Sequence, residues 1–373
     1  MDSKIPVLHI LNGEHYSGLE RVVDQLAEMA PAYGYRLHLI LLKPMVMRSN
    51  MKSKQAIIFE CPMRNRFDLA VSRSITGLAE STGSKLIHSH TVRSSLVAAK
   101  VKKCTALPWV CHIHSPALRD TEQLLLNVIN FVAEAMVIKG ADKILPVSLA
   151  LAQYTKTYYN LPDQRMRVIP NGVATTTASY RNEHSKTVKT VAALGLFHPS
   201  KGIEYLILAT RILLDQGHSI KVKIIGDFSD KAYERDVRLL VIREGLEELV
   251  EFVGFVTDVN KQLIRCDILA FPSLHGEGMP MAVLEAMALG LAIVASDIPG
   301  ITELLEQGAG LLIPTRSPKL LADAILQLIL DDKLVESLCL EAVRRQREHY
   351  SVQAMGEAVF RTYDLLLGRT REA

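Results

Sequence analysis

Short, continuously apolar runs alternate with longer stretches that carry apolar residues at helical spacing along almost the whole chain. A short run without polar interruption is typical of a strand that is buried on both faces of a parallel sheet. Strands and helices in alternation imply right-handed βαβ units. The pattern therefore predicts an α/β protein built from parallel, doubly wound sheets.

The predicted strands form two groups of six, separated by a polar segment without periodicity at 174–187. The first group is 7–11, 36–42, 56–60, 85–90, 109–114 and 143–148, and the second is 190–197, 220–226, 250–256, 267–273, 291–296 and 310–314. The longer stretches begin at helix-capping residues such as Ser17, Asp120 and Ser148. The polar segment is the predicted linker between two similar domains.

A length of 373 residues allows two domains, each large enough to bury its own core. We predict one Rossmann-like domain over 1–175 and a second over 176–350. The amphipathic tail over 351–373 is long enough to cross back to the first domain. Two such domains in tandem are expected to face each other across a cleft at the carboxyl ends of their strands.

Composition and cysteine usage indicate a globular enzyme of a reducing compartment. The five cysteines are odd in number and include no CxxC pair, which disfavours a disulfide framework or a zinc ribbon. The start MDSKIPVLHILNG is interpreted as a first buried strand and not as a signal peptide. The most apolar stretch, 124–138, contains Asn127, Asn130 and Glu134 and is predicted to pack between the sheet and its neighbours. We therefore expect a cytoplasmic protein.

Charge is unevenly distributed along the chain. Residues 1–175 carry 21 Lys and Arg against 13 Asp and Glu (+8), whereas residues 176–373 carry 22 against 27 (−5). A basic first half favours an anionic acceptor or an anionic membrane surface, although scattered solvated charge explains it equally well. Segments 45–54 and 100–109 mix cations with apolar residues. They are either membrane-contacting segments that present a lipid-linked acceptor or ordinary solvated loops.

The segment HGEGMPMAVLEAMALG at 275–290 is the most informative for chemistry. It places Glu277 and Glu285 eight residues apart around a turn that opens a helix, with Pro280 as the predicted first helical residue. The amides of that first turn and the helix dipole favour a phosphate. Glu285 lies about 7.5 Å further along the helix, at 1.5 Å per residue. This span fits the distance from a diphosphate to ribose hydroxyls, so the segment suits a sugar nucleotide.

The longer segment HGEGMPMAVLEAMALGLAIVASDIPGITEL (275–304) strongly resembles the signature region of the family-4, or group 1, retaining glycosyltransferases. Further matches run in the family's order over essentially the whole chain: GLERVV (18–23), CHIHSP (111–116), ILPVSLALAQY (144–154), MRVIPNGV (166–173), LGLFHPSKG (194–202) and FVGFV (252–256). The resemblance implies the two-domain glycosyltransferase B fold, with 1–175 as the N-terminal acceptor-side domain and 176–350 as the nucleotide-sugar-binding domain. It also implies a nucleotide-sugar donor as co-substrate, no further cofactor, and no metal ion for the chemistry.

The resemblance also implies residue roles on the donor side. Glu285 is expected to bind the donor ribose, and Lys201 to neutralise the leaving diphosphate, where a fixed cation stabilises developing charge. Glu277 lies beside the donor sugar, either orienting its hydroxyls or acting as a covalent nucleophile; the absence of an evident carboxylate partner favours orientation. The remaining donor contacts are the backbone amides of Gly276, Gly278 and Met279, and Val256 at the base. Gly18 belongs to a glycine-rich loop whose amide approaches the donor phosphate or the acceptor.

One feature of the family pattern is missing. The family usually has Gly-Arg five residues before the lysine, whereas this chain has Gly195 followed by Leu196. One of two expected cations is therefore absent from the diphosphate site. His198 is expected to substitute in part when it is protonated, because a phosphate readily raises an imidazole pKa.

His114 matches the family histidine that contacts donor sugar and acceptor. Together with His112, and with His88 and His90, it belongs to a pair of His-x-His sequences, each of which puts two imidazoles on one face of a strand. That spacing also suits metal ligands. Packing at strand ends explains His88 and His112 without an ion, and we predict no metal site.

The sequence thus predicts a retaining hexosyltransferase of cell-surface polysaccharide or glycolipid biosynthesis. The base and sugar of the donor, the acceptor and the oligomeric state stay open, and no nucleic-acid partner is expected. The chain contains no GxxxxGK[ST] or GxGxxG sequence, which counts against ATPases and Rossmann dehydrogenases. The alternatives are a nucleotide-sugar 2-epimerase of the same fold and a catalytically degenerate subunit that binds nucleotide sugar. Product analysis without an acceptor separates them.

Overall fold

The computed structural model describes residues 4–44, 46–119, 124–176 and 188–370. The chain divides into two compact units, the first comprising the residues up to Gly172 together with those from Val352 onward, and the second comprising Val173–Ser351. Each unit holds one six-stranded parallel sheet. The predicted fold class, two tandem Rossmann-like α/β domains, is confirmed.

The first unit has a sheet of order β3-β2-β1-β4-β5-β6. Its strands are β1 (Ile5–Leu11), β2 (Tyr35–Leu41), β3 (Ile57–Glu60), β4 (Leu86–Ser89), β5 (Trp109–Ile113) and β6 (Lys143–Pro146). Its helices are α1 (Gly18–Met29), α2 (Met47–Asn50), α3 (Val71–Ser81), α4 (Val92–Thr105), α5 (Leu124–Val137), α6 (Leu149–Tyr159) and α14 (Val352–Leu366). Short 3₁₀ turns occupy Ala30–Tyr33, Ala117–Arg119, Ile138–Gly140 and Asp163–Arg165.

The second unit repeats this topology with the order β12-β11-β10-β7-β8-β9. Its strands are β7 (Lys189–Leu194), β8 (Ile220–Ile225), β9 (Val250–Gly254), β10 (Ile268–Phe271), β11 (Ala292–Ser296) and β12 (Leu311–Ile313). Its helices are α7 (Ile203–Asp215), α8 (Lys231–Arg243), α9 (Val259–Leu263), α10 (Met281–Leu289), α11 (Pro299–Leu305), α12 (Pro318–Leu330) and α13 (Asp332–His349). Two 3₁₀ turns occupy Pro199–Lys201 and Glu306–Gly308.

Each predicted strand overlaps one observed strand, and the apolar faces of the helices complete the core of each unit. In the second unit the core gathers β-strand residues such as Val191, Val222 and Val294 against Leu206 of α7 and Ile325 of α12. Burial on both faces explains why these strands contain continuous apolar runs.

Two of the three predicted caps lie where the structure can test them. Ser17 is the N-cap of α1 in a capping box, where its backbone amide donates to the Glu20 carboxylate at 3.2 Å, and the Ser148 hydroxyl accepts from the Leu151 amide at 3.2 Å. These two caps are confirmed. Asp120 and the part of the predicted linker at 177–187 lie outside the described residues.

The C-terminal helix α14 packs within the first unit. Its Phe360 ring stacks on Tyr35 of β2 at a centroid distance of 5.6 Å, and its Asp364 accepts a 2.7 Å hydrogen bond from the Tyr35 hydroxyl. A side chain at Gly356 would approach the Met29 methyl group to 2.5 Å, so α14 meets α1 closely. The first unit therefore consists of two segments of chain that are far apart in sequence.

Helix α5 differs from its prediction. Only Asn127, Ala133 and Glu134 among its residues are buried. A row of apolar side chains faces solvent instead: Leu124, Leu125, Val128, Ile129, Val132 and Met136. The prediction that 124–138 packs between the sheet and its neighbours is wrong, because α5 turns its polar positions inward. Among the described helices, none is long and apolar enough to cross a membrane.

Candidate functional site

The centre of the second sheet is the point where its connections reverse direction. β7 and β10 are neighbours, but β8 and β9 extend the sheet on one side and β11 and β12 on the other. Such a switch point leaves a crevice at the carboxyl ends of the strands, where doubly wound folds bind ligands. The loops after β7 and after β10 both border this position.

Lys201 and Glu277 meet at this switch point. The Nζ atom of Lys201 lies 2.5 Å from Oε1 of Glu277, and the Ser273 hydroxyl donates to the same oxygen at 2.7 Å. The side chains of Lys201 and Glu277 are 19% and 10% exposed. A hydrogen bond of 2.7 Å from the Leu274 amide to the Ser200 carbonyl joins the two loops. The structure thus brings together the two charged residues that were predicted to flank the leaving group.

The local backbone explains why the lysine reaches this position. The 3₁₀ turn Pro199–Lys201 ends at Gly202, whose φ of +61° favours glycine. A Cβ atom at Gly202 would lie 2.4 Å from the Pro272 carbonyl oxygen, so the two loops can approach only because this residue has no side chain. The Lys201 ammonium also lies 5.4 Å from the centroid of the Phe271 ring, within cation–π range.

Helix α10 begins one residue later than predicted. Pro280 is the N-cap, with φ −72° and ψ 123°, and Met281 is the first helical residue. The prediction of Pro280 as the first helical residue is wrong because its ψ is extended. Gly290 ends the helix in the left-handed conformation, with φ 67°. Glu285 lies in the second turn of α10 and is only 4% exposed, so its carboxylate is buried.

The loop before α10 rests on a second glycine. A Cβ atom at Gly300 of α11 would lie 2.3 Å from the Glu277 carbonyl oxygen and 2.6 Å from that of Gly278. Gly276 has φ +86°, which favours glycine, and Gly278 and Met279 are buried. Sequence reasoning missed the support by Gly300, although its signal was present in the DIPGITEL part of the signature segment.

The other predicted donor residues border the same sheet edge. Nδ1 of His198 lies 2.8 Å from the Ser200 hydroxyl oxygen, and Leu196 is half-buried at the position of the missing arginine. Val256 follows β9, which is separated from β7 by β8. At about 4.8 Å per strand, Val256 therefore lies on the order of 10 Å from the loop after β7. The structure does not bring it against Lys201 or Glu277, but a nucleotide spans such a distance.

The first unit has its own cavity, of about 390 Å³, at the carboxyl ends of β1, β4 and β5. Its wall includes the buried carboxylates of Glu20 and Glu134 and the cations of Lys43, Arg66 and Arg93. Burial raises the pKa of Glu20. Gly18 is the first residue of α1, and its neighbours Ser17 and Leu19 line the cavity. His114 lines this cavity and Gly18 lies beside it, both in the first unit, whereas Lys201 and Glu277 lie in the second unit.

Five buried or part-buried histidines form a cluster in the first unit, and three of them, His90, His112 and His114, line this cavity. Nδ1 of His9 lies 2.9 Å from Nε2 of His90, and Nδ1 of His90 lies 3.2 Å from Nε2 of His114. The rings of His88 and His112 stack at a centroid distance of 5.3 Å. His9 was missed, because only the placement of β1 beside β4 brings it to the other four.

Burial keeps the cluster neutral. Desolvation lowers the pKa of His9 and of His114 to about 3, and it lowers the pKa of His88, His90 and His112 well below the usual range. At neutral pH these imidazoles are therefore uncharged. Each can offer a lone pair without first releasing a proton.

Comparison with known proteins identifies the family. The model of glycosyltransferase family 4 matches residues 16–177, and that of the group 1 glycosyl transferases matches residues 188–331. The chain belongs to the group 1 glycosyltransferases.

Two relatives illustrate the range of similarity. An uncharacterized glycosyltransferase of Methanocaldococcus jannaschii is 24% identical over 303 residues, which cover 76% of this chain and 75% of that protein. A phosphatidyl-myo-inositol mannosyltransferase of Mycobacterium leprae is 29% identical over 206 residues, or 52% of each chain. The match thus spans about three quarters of the archaeal relative but only about half of the mycobacterial one.

Solved structures show the same fold. Anabaena HepE, whose structure contains UDP and glucose, superposes with a TM-score of 0.82 at 20% identity, covering 97% of this chain and all of that one. The two sheets of this chain thus belong to the glycosyltransferase B fold, as the motifs predicted.

Proposed function

We propose that this protein is a retaining, metal-independent hexosyltransferase that uses a nucleoside-diphosphate sugar. The contact between Lys201 and Glu277 at the switch point of the second sheet carries this proposal. Glu277 precedes Met281, the first residue of α10, by four residues, and the backbone amides of a first helical turn favour a phosphate. The UDP and glucose in the Anabaena structure support a donor of this kind.

The donor is proposed to bind along α10. The diphosphate takes the first-turn amides and the ammonium of Lys201, which leaves Glu277 to accept hydrogen bonds from the sugar hydroxyls. Glu285, five residues beyond Pro280, accepts from the ribose hydroxyls, and the backbone at Val256 contacts the base. Gly276, Gly278 and Met279 supply further amides, and His198 supplies the second, weaker positive charge.

In the transfer step the bond between the anomeric carbon and the phosphate oxygen breaks while the acceptor oxygen attacks the same face. The acceptor proton passes to the departing diphosphate, whose charge Lys201 stabilises. Glu277 is proposed to orient the sugar and not to attack it. Its Oε1 accepts a 2.7 Å hydrogen bond from the Ser273 hydroxyl, which remains when Lys201 moves to the diphosphate, and a hydrogen-bonded carboxylate oxygen is a weaker nucleophile than a free one.

The acceptor is proposed to bind in the cavity of the first unit, with contacts from His114 and Gly18. The mannosyltransferase of M. leprae, and relatives named for colanic acid and amylovoran biosynthesis, support a role in glycolipid or cell-surface polysaccharide biosynthesis. The mixture of buried carboxylates and cations in the wall suits a polar saccharide or headgroup.

A thermal-shift screen with UDP-, GDP- and ADP-hexoses tests the proposal. Ligand at 100 times its Kd is expected to stabilise the folded state by about 2.7 kcal/mol. Incubation of the stabilising donor without acceptor then separates the alternatives: slow hydrolysis supports a transferase, an epimeric donor indicates a 2-epimerase, and an unchanged donor indicates a binding subunit. Stabilisation by none of these donors contradicts the proposal.

The exposed face of α5 supports a membrane-linked acceptor. The apolar row from Leu124 to Met136 lies on the helix whose Ile129, Asn130, Ala133 and Glu134 line the cavity. By contrast, segments 45–54 and 100–109 bury Met47, Met51 and Val101, and Val46 is 37% exposed. Their described residues therefore present less apolar surface than α5 does.

We expect the double variant Leu125→Glu, Met136→Glu to bind anionic vesicles at least about tenfold more weakly than the unaltered chain. Burying one such side chain is worth about 1.5–3 kcal/mol, and about 1.4 kcal/mol is tenfold in affinity. Co-sedimentation with vesicles measures the change, and Leu239→Glu, on α8 of the second unit, is the control. Equal binding by all three proteins would exclude α5 as the lipid contact.

A further inference from the structure

We propose that His90, His112 and His114 form a binding site for one divalent transition-metal ion at the floor of the first unit's cavity. One ring nitrogen from each residue lies within 4.8 Å of the other two. The inference goes beyond sugar transfer and is independent of it, because all three metal ligands belong to the first unit.

The strand geometry assembles the three ligands. His112 and His114 are two residues apart at the end of β5, so their rings lie on one face of the sheet, with centroids 4.3 Å apart. His90 follows β4, which pairs directly with β5. Three imidazoles that leave a fourth position open form a recurrent Zn²⁺ site.

The distances fit an ion. Two nitrogens bound at 2.0–2.1 Å to a tetrahedral Zn²⁺ lie about 3.3 Å apart. Nδ1 of His90 and Nε2 of His114 lie 3.2 Å apart. The third ligand is at most 4.8 Å from them, so the His112 ring must move by no more than about 1.5 Å to complete the site.

The burial of His112 is a second observation that supports the metal site, and it is independent of the distances between the ring nitrogens. This ring is 2% exposed, and neither of its nitrogens has a hydrogen-bond partner among the described residues. A neutral imidazole always carries one N–H, and burying it unpaired costs about 1–3 kcal/mol. Coordination to an ion would give one of these two nitrogens a partner.

The hydrogen bonds behind the site set the required tautomers. If Nδ1 of His90 binds the ion, its Nε2–H donates to Nδ1 of His9, 2.9 Å away. Nε2–H of His9 then donates to the Tyr363 hydroxyl at 2.9 Å, and that hydroxyl donates to Nδ1 of His88 at 2.5 Å. Metal-bound histidines commonly have such outer partners.

The alternative group of His9, His88 and His90 is less suitable, since His9 and His88 already direct nitrogens at Tyr363. In the proposed site, Nε2 of His114 is the ligand and Nδ1 keeps its proton. His114 can therefore still donate a hydrogen bond to a substrate. The open fourth position faces the cavity that these three residues line.

Metal binding to the purified full chain, without an affinity tag and after chelator treatment, tests the site. We expect one Co²⁺ per chain, with the visible absorption of a tetrahedral ion, and its displacement by Zn²⁺. His112→Gln and His114→Gln should each weaken Co²⁺ binding by more than about 100-fold, because even outer-shell substitutions cost 10–100-fold. His9→Gln should weaken it by about 10–100-fold.

His38→Gln is the matched control, since His38 is also a buried histidine of the first sheet but lies outside the cluster. It should keep the affinity of the unaltered chain, and melting curves should show that every variant is folded. The proposal is overturned if the unaltered chain binds no stoichiometric Co²⁺. It is equally overturned if the folded His112→Gln and His114→Gln variants bind Co²⁺ as tightly as His38→Gln does.

Discussion

Replacing Lys201 by alanine is expected to lower turnover by about 10²–10³, the effect of losing one charge contact that stabilises a transition state. The side chains of its ion pair with Glu277 are only 19% and 10% exposed. The loss of stability should therefore lie between the about 0–1 kcal/mol of an exposed pair and the about 3–5 kcal/mol of a buried one. Initial rates at saturating donor, together with melting curves, measure the two effects.

Lys223→Ala is the matched control for this experiment. Lys223 lies in the same sheet, its side chain is 20% exposed, and its ammonium pairs with Glu251 at 3.2 Å. It should retain full turnover, because β8 carries it away from the switch-point loops. If Lys201→Ala turns over donor as fast as Lys223→Ala, Lys201 has no role at the leaving group.

Replacing Glu285 by glutamine is expected to weaken the binding of the donor and of its nucleoside diphosphate by about 10–100-fold. A hydrogen bond to a charged group contributes about 1.5–3 kcal/mol, and glutamine keeps the shape of the side chain while removing its charge. Isothermal titration with the nucleotide identified in the thermal-shift screen measures the change.

Glu336→Gln is the control here, since it makes the same chemical change at an exposed position of α13. It should bind nucleotide as the unaltered chain does. Equal affinity of Glu285→Gln and Glu336→Gln would show that the ribose is held elsewhere. A loss of affinity together with a collapse in melting temperature would instead assign Glu285 to the packing of α10.

The sequence was sufficient for the architecture because burial on both faces of a parallel sheet leaves an unmistakable apolar run. The predicted strand ends differ from the observed ones by up to three residues, since the last residues of a run such as 267–273 continue into the loop that forms the site. Lys201 and Glu277 were also predictable, as each follows a strand that ends at the same edge of the sheet.

The order of the strands in each sheet and the directions of the side chains could not be predicted from the sequence. His9 is an ordinary strand residue until β1 lies beside β4, and only then does it join the other histidines. The composition of α5 indicates burial, yet Asn127 and Glu134 point inward and the leucines outward. Local apolarity cannot reveal which face of a helix meets the sheet, because tertiary contacts decide it.

The most direct measurement is a crystal structure of the protein with the nucleoside diphosphate that stabilises it most. The account predicts the diphosphate at the first turn of α10, within hydrogen-bond distance of the Lys201 ammonium, and the ribose hydroxyls at Glu285. Two results would contradict it: a nucleotide bound away from the loops after β7 and β10, or a bound diphosphate with the Lys201 ammonium still paired to Glu277.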